Sequence, residues 1–345
     1  MREIPRAKKL GALSRKAVRL SAQSLVCTGY LEPGRRQPLV FQPTVKELDA
    51  VVWASQNREL IETELVRHGA ILFRRFYLRT TDKFEQFIKA ISGELLQYSY
   101  ASTPRSQISG NIYTSTEYPA EQSIPLHNEM SYARRWPMKI WFFCLQAATQ
   151  GGATPIANSS KVFERIGADV RKRFMEKKVM YVRNYGDGVD LQWQKVFGTT
   201  SRAVVEAYCR KAGIDLEWKE GNRLRTKQVC QAVAVHPKTG RTVWFNQAHL
   251  FHISSLGPEF CASLQEEFSE DNLPRNAYYG DGSRIESAAL DEIREAYRQE
   301  KVSFEWEERD ILMLDNMAFA HGREPYVGQR KVAVGMAESS EETEG

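Results

Sequence analysis

The chain has 345 residues, 42% of them hydrophobic and 11% aromatic, enough to bury the core of one large domain or two modest ones. No apolar run reaches the roughly 18 residues a membrane-spanning helix needs, and the five cysteines (Cys27, Cys144, Cys209, Cys230, Cys261) show no CxxC spacing, so reduced thiols in a cytoplasmic protein are expected. The net charge of +5 is concentrated at Arg2, Arg6, Lys8, Lys9, Arg15, Lys16 and Arg19, with neither stacking aromatics nor zinc-finger spacing beside them, so a nucleic-acid partner is not expected. Residues 1–30 read as a basic arm, solvated or facing an acidic partner. They lack the apolar stretch of a secretory signal.

Residues 57–67 (NRELIETELVR) predict a helix that stops at His68-Gly69, followed by a strand over Ala70–Phe73. Asp82 and Glu85 form a capping-box-like start to a helix whose Phe84, Phe87, Ile88 and Ile91 repeat at core spacing. Residues 136–145 read as a buried strand entered from a loop. The glycines and proline of 150–155 (QGGATP) make a turn, after which Ser160 can cap one helix carrying Val162, Ile166, Val170 and Phe174. Residues 181–300 mix a short strand at 242–245 with helices near 201–212, 258–268 and 288–299, between the turn signals of 184–188 and 279–282. From Val302 strands return, at 304–306, 311–314 and 331–336. No linker or internal repeat is visible. The expectation is one domain over 31–337, mainly β with surrounding helices (α+β), in which the β-rich ends meet as a barrel and a helix-rich insert, about 181–300, packs over it. Residues 338–345 read as an acidic disordered tail.

Two segments carry metal-ligand chemistry. His127-Asn128-Glu129 in IPLHNEMSY and His321 in DILMLDNMAFAHGREP supply two imidazoles and one carboxylate. Such a set occupies one face of an octahedral iron(II) and leaves positions for a co-substrate and dioxygen, but the same donors can hold tetrahedral zinc. The ligands alone name a metal site and leave the reaction open. Both histidines are expected at strand ends, where a barrel mouth gathers ligands from distant parts of the chain. His249 and His252 in NQAHLFH have no carboxylate nearby and read as packing or hydrogen-bonding residues.

Four features occur in a family's order and spacing: the HxE triplet, the Gly-Gly-x-Thr turn ending at Thr154, Asp315-Asn316 ahead of His321, and the basic pair Arg330-Lys331 behind it. With them the chain, from Gly69 to Ala337, resembles the taurine-dioxygenase-like (TauD/TfdA-type) Fe(II)/2-oxoglutarate-dependent dioxygenases. The phrases YTSTEYPAEQSIPLHNEMSY and HGREPYVGQRKVAVGM are similar to a branch of amino-acid hydroxylases from peptide natural-product biosynthesis, which includes the syringomycin-pathway hydroxylase. The resemblance implies a double-stranded β-helix (jelly-roll) core with the metal at its open end. It implies His127, Glu129 and His321 as catalytic iron ligands and Arg330 as the clamp on the distal carboxylate of 2-oxoglutarate, with Thr154 adding a hydroxyl and Lys331 as a competing anchor. With O2 as the second co-substrate, the implied reaction hydroxylates an aliphatic C–H of an amino acid or amino-acid-derived substrate. That substrate is free or tethered to an acidic peptidyl carrier protein, which the basic arm would attract.

Desaturation or cyclisation at the same site, zinc hydrolysis, and a non-catalytic binding or regulatory protein on the same fold are the alternatives. The complete triad opposes the last of these, and the Gly-Gly-x-Thr turn with Arg330 opposes zinc. The arginine that taurine dioxygenase uses for its sulfonate falls here near Val334 or Gly335, so a sulfonate substrate is not expected. Arg105, Asn246 and Arg275 are candidates for orienting the substrate instead.

Overall fold

The computed structural model describes residues 25–341 apart from 35, 98–99, 101–104 and 187–190. Its spine is an eight-stranded sheet in the order Val26–Tyr30, Leu39–Pro43, Ala70–Phe73, Ile311–Asp315, Arg135–Gln146, Lys331–Glu341, Ile112–Thr114 and Gln107–Ser109. Neighbours run antiparallel except Leu39–Pro43 beside Ala70–Phe73. The central strands are near-continuous apolar runs because both of their faces are covered. Successive side chains point to opposite faces. Trp141, Phe143, Ile311, Met313, Ile71 and Phe73 therefore join one core, under the helices Ala50–Gln56, Arg58–His68 and Thr81–Ser92. Ile140, Phe142, Leu312, Leu314, Leu72, Val332 and Val334 join the other. Each such side chain, fully buried, contributes roughly 1.5–3 kcal/mol.

The second core is closed by a three-stranded sheet, Ile124–His127, Phe319–Arg323 and Ile156–Asn158, whose Phe319 and Ile156 pack onto the inner face of the large sheet. This is the jelly-roll sandwich expected, with both halves drawn from the two ends of the chain. Val334 is fully buried and a side chain on Gly335 would run into Ile88, so the positions that answer to a sulfonate-binding arginine are apolar interior.

Several boundaries differ from the expectation. The arm cannot run to residue 30, because Val26–Tyr30 is the edge strand of the large sheet; residues 1–24 lie outside the described residues. The tail begins later than 338, because Lys331–Glu341 is one strand and Glu338 pairs with the buried Lys139; residues 342–345 lie outside the described residues. The insert is not simply helical. It contains a four-stranded antiparallel sheet, Asp215–Lys219, Arg223–Cys230, Val179–Tyr185 and Arg275–Tyr279, and the boundary at 181 cuts one of those strands. Thr80 rather than Asp82 caps the helix Thr81–Ser92, its hydroxyl accepting from the Lys83 N–H at 3.2 Å. Asn158 rather than Ser160 caps the next helix, and the chain breaks at Ile166-Gly167 into Ser159–Arg165 and Ala168–Lys177. Residues 304–306 form no strand; the neighbouring Val302 makes only an isolated bridge to Ile156.

Candidate metal centre

His127 ends the strand Ile124–His127, and His321 sits in the middle of Phe319–Arg323 rather than at its end. The two are directly opposed in register, with ring centroids 4.6 Å apart. Gly322 permits that approach, since a Cβ there would stand 2.6 Å from the Ile124 carbonyl oxygen. Beyond His127 the chain turns through Met130 at φ +56°, which swings Glu129 back over the strand pair. One ligand atom from each of His127, Glu129 and His321 lies within 4.8 Å of the others. Glu129 and His321 are 3% and 4% exposed, so a cation seated here would be held in a largely desolvated site.

The turn is held by amides that the ligand pattern does not reveal. Asn316 grips both sides of Glu129's backbone: its Oδ1 accepts from the Glu129 N–H at 2.7 Å, and its Nδ2 donates to the Glu129 carbonyl at 2.9 Å and to the Pro137 carbonyl at 2.8 Å. Gln247 donates to the Asn128 carbonyl at 2.8 Å, and Asn128 donates to the Asn316 carbonyl at 2.6 Å. Asp315 Oδ1 accepts from the N–H groups of Met317 and Ala318, while its Oδ2 faces His236 Nε2 at 2.8 Å. Backbone N–H groups of Lys238 and Thr239 donate to His236 Nδ1, which leaves Nε2 as the donor to Asp315. The Asp-Asn pair thus fixes the ligand turn, while neither side chain belongs to the three-donor cluster.

The donors fit a divalent transition metal. His127 Nδ1 lies 2.8 Å from the Pro125 carbonyl, which fixes its hydrogen there and turns the Nε2 lone pair toward the site. His321 packs on Phe142 at 4.9 Å and places Nε2 3.7 Å from Glu129 Oε2. Burial lowers both imidazole pKa values, most strongly at His321, which keeps the rings in the neutral form a metal needs. Arg105 also reaches this centre: its Nη2 is 2.7 Å from Glu129 Oε2, with both side chains nearly sealed from solvent.

Beside the triad lies an anion-ready pair. The Gly322 N–H bonds the Pro155 carbonyl at 2.9 Å, and Ile156 pairs with His321, so Thr154 is two residues from the metal strand's own partner. Arg330 donates to Thr154 Oγ1 at 3.2 Å, to the Gly152 carbonyl at 2.8 Å and to Ser115 Oγ at 3.4 Å. Trp306 Nε1 also donates to Thr154 Oγ1, at 3.1 Å, leaving the hydroxyl hydrogen to donate onward. Burial pushes Arg330 down to about 10, still cationic at neutral pH, and among the described residues no carboxylate hydrogen-bonds to it. The preceding glycines make the turn possible: Gly152 has φ +71°, and a Cβ there would lie 2.9 Å from Arg330 Cδ. Lys331 is exposed and does not compete with Arg330.

Arg323, two residues beyond His321, is a functional residue that no sequence pattern singles out. It is 4% exposed and donates to the carbonyls of Tyr118, Pro119 and Gln122 at 3.0, 2.6 and 2.7 Å, which pins the loop leading into the metal strand. Of the substrate candidates, only Arg105 reaches the centre. Asn246 is consumed internally, donating to the Ala232 carbonyl at 2.7 Å and accepting from the Ala248 N–H at 3.0 Å. Arg275 lies on the insert sheet, its guanidinium 5.7 Å from the Phe251 ring. His249 donates to the Leu126 carbonyl at 2.9 Å and His252 pairs with Ser254 at 2.8 Å, as packing and hydrogen-bonding residues should.

The same architecture and motifs occur in known proteins. Dapdiamide synthesis protein DdaC of Enterobacter agglomerans is 38% identical over 299 residues, covering 87% of this chain and 91% of that protein. The fold is shared with PvcB from Pseudomonas aeruginosa (TM-score 0.54, 14% identity, 95% of each chain). It is also shared with a structure of PvcB described as an Fe, alpha-ketoglutarate dependent oxygenase from an isonitrile synthetic pathway (TM-score 0.51, 13% identity, 96% of each chain). Residues 35–336 match the Taurine catabolism dioxygenase TauD, TfdA family, and the chain, as a dioxygenase, belongs to it.

Proposed function

We propose that this protein is an Fe(II)- and 2-oxoglutarate-dependent oxygenase that hydroxylates an aliphatic C–H of an amino acid or amino-acid-derived substrate in natural-product biosynthesis. His127, Glu129 and His321 hold the iron, and Arg330 with the Thr154 hydroxyl holds the distal carboxylate of 2-oxoglutarate. The observation that carries the reading is the buried Arg330–Thr154 pair, which no carboxylate among the described residues answers and which lies alongside a three-donor metal cluster. A buried guanidinium of this kind is favoured when an anionic ligand completes it. A hydrolytic zinc centre would leave the pair without a use.

Bound iron with 2-oxoglutarate supplies the dioxygen-activating, decarboxylating chemistry. The chain's own contribution is placement. Asn316 and Gln247 keep the Glu129 turn rigid, Pro125 fixes the His127 tautomer, and Phe142 and Phe319 keep the inner side of the centre dry. The amino-acid class rests on the relation to the dapdiamide synthesis protein. The substrate is offered either free or as a thioester on an acidic peptidyl carrier protein, which the net charge of +5 would favour electrostatically. Five cysteines without a disulfide suit a cytoplasmic setting. The test is to add Fe(II) and 2-oxoglutarate anaerobically and look for the weak visible charge-transfer band of a chelated keto acid, then to measure succinate when oxygen and a substrate panel are admitted. No band, with a hydrolytic activity supported by zinc instead, would overturn the reading.

A further inference from the structure

We propose that Arg105 is a specificity-determining residue that reads a carboxylate on the substrate, and that the metal ion releases it for this purpose by taking Glu129. The inference rests on the oxygenase reading above and names its substrate class more narrowly. The Arg105 guanidinium lies 2.7 Å from Glu129 Oε2, the oxygen that faces His321 Nε2 at 3.7 Å. Arg105 therefore stands on the metal-facing side of the carboxylate and occupies part of the role a cation would have. A divalent ion between the three donors competes for that oxygen, and its own charge repels the guanidinium.

Burial limits where the displaced guanidinium can turn. The Arg105 side chain is 3% exposed, so when its hold on Glu129 weakens it has little access to solvent. A divalent ion, Arg105 and Arg330 together outweigh Glu129 and a 2-oxoglutarate dianion by one positive charge. In a sealed site that excess favours a substrate bringing one negative charge. A planar guanidinium fork matches a carboxylate in geometry as well as in sign. The carboxylate can come from two sources. A free amino acid offers its α-carboxylate, whereas a carrier-bound thioester has lost that group and must offer a side-chain carboxylate.

Two measurements test this. In the first, metal-free wild type, Arg105→Met and Arg105→Lys are titrated with Co(II) alone. Arg105→Met is expected to bind Co(II) several-fold more tightly because the competitor for Glu129 is gone, with Arg105→Lys in between. Unchanged or weaker binding in Arg105→Met would make Arg105 a brace for Glu129 and overturn the proposal. In the second, the anaerobic Fe(II)/2-oxoglutarate complex is titrated with free L-amino acids, their α-carboxamides, and aspartyl, glutamyl, asparaginyl and glutaminyl thioesters on a carrier protein. The perturbation of the visible band gives each Kd. The expected result is that replacing carboxylate by amide weakens binding at least tenfold in wild type and makes no difference in Arg105→Met. Preference for free acids over their amides identifies the α-carboxylate, and preference for aspartyl or glutamyl thioesters over the amide pair identifies a side-chain carboxylate. Equal binding of acid and amide in wild type, discrimination that survives in Arg105→Met, or binding confined to species without a carboxylate would each overturn it. If the band fails to form in wild type, the oxygenase reading fails at that point, and the Co(II) titration still decides whether Arg105 competes with metal for Glu129.

Discussion

Glu129 and Arg330 bring opposite charges into one pocket, and their removal should fail in different ways. Glu129 is fixed through its backbone by Asn316, so Glu129→Ala removes a donor while leaving the turn in place. Substrate-coupled succinate formation should disappear while circular dichroism and thermal unfolding stay close to wild type; retention of turnover would refute the ligand assignment. Arg330→Ala should raise the 2-oxoglutarate KM by about tenfold to a thousandfold, as losing a charge-assisted pair costs roughly 1.5–3 kcal/mol and more when the partner is left buried. Lys331→Ala should leave that KM alone, because Lys331 is exposed; the opposite pattern would move the clamp one residue along. These residues were legible in the sequence because metal and carboxylate chemistry restrict residue type and spacing together. Asn246 and Arg275 were not, because an amide already satisfied by Ala232 and Ala248 looks in one dimension like one aimed at a ligand.

Among the structural elements, the turn carrying Glu129 shows how a motif can be visible while its purpose is hidden. Asp315-Asn316 is readable as a pattern, yet only the fold shows Asn316 bonding both the N–H and the carbonyl of a residue far away in sequence. Asn316→Ala should therefore lower metal affinity by about tenfold to a hundredfold, the usual effect of losing a group that orients a ligand. It should also cost about 1–3 kcal/mol of stability, since buried backbone groups of Glu129 and Pro137 lose partners. A metal titration and a denaturant melt on the same preparation check both, and unchanged metal affinity would show that the turn holds itself. Helix ends were less legible than helix bodies. Thr80 and Asn158 took the caps from Asp82 and Ser160 because several polar residues adjoin each start, and the entry angle of the chain selects among them.

Across the whole molecule, the meeting of the two chain ends as one sandwich was foreseeable from apolar strand runs, whereas the insert's sheet was not. Its strands are separated by helices and turns, and Val179–Tyr185 finds its partners only at Arg223–Cys230 and Arg275–Tyr279. The insert is also joined to the metal strand by His249, which donates to the Leu126 carbonyl one residue before His127. That bond has a pH signature. Burial pushes the His249 pKa down to about 3 in the fold, against about 6.5 for an exposed histidine. Below about 6.5 the unfolded chain binds a proton that the folded chain refuses, so the neutral histidine's contribution is complete above that pH and is lost as pH falls toward 3. In that window stability should fall by up to about 1.4 kcal/mol per pH unit from this one group. His127 and His321 are shifted in the same direction, so wild type alone cannot isolate the effect. The comparison with His249→Gln can: its stability should start lower at pH 7 and decline less steeply between pH 6 and 4 in urea melts of the metal-free protein. Parallel profiles would mean that His249 is protonated in the fold, and that the link between insert and metal strand does not depend on its neutral form.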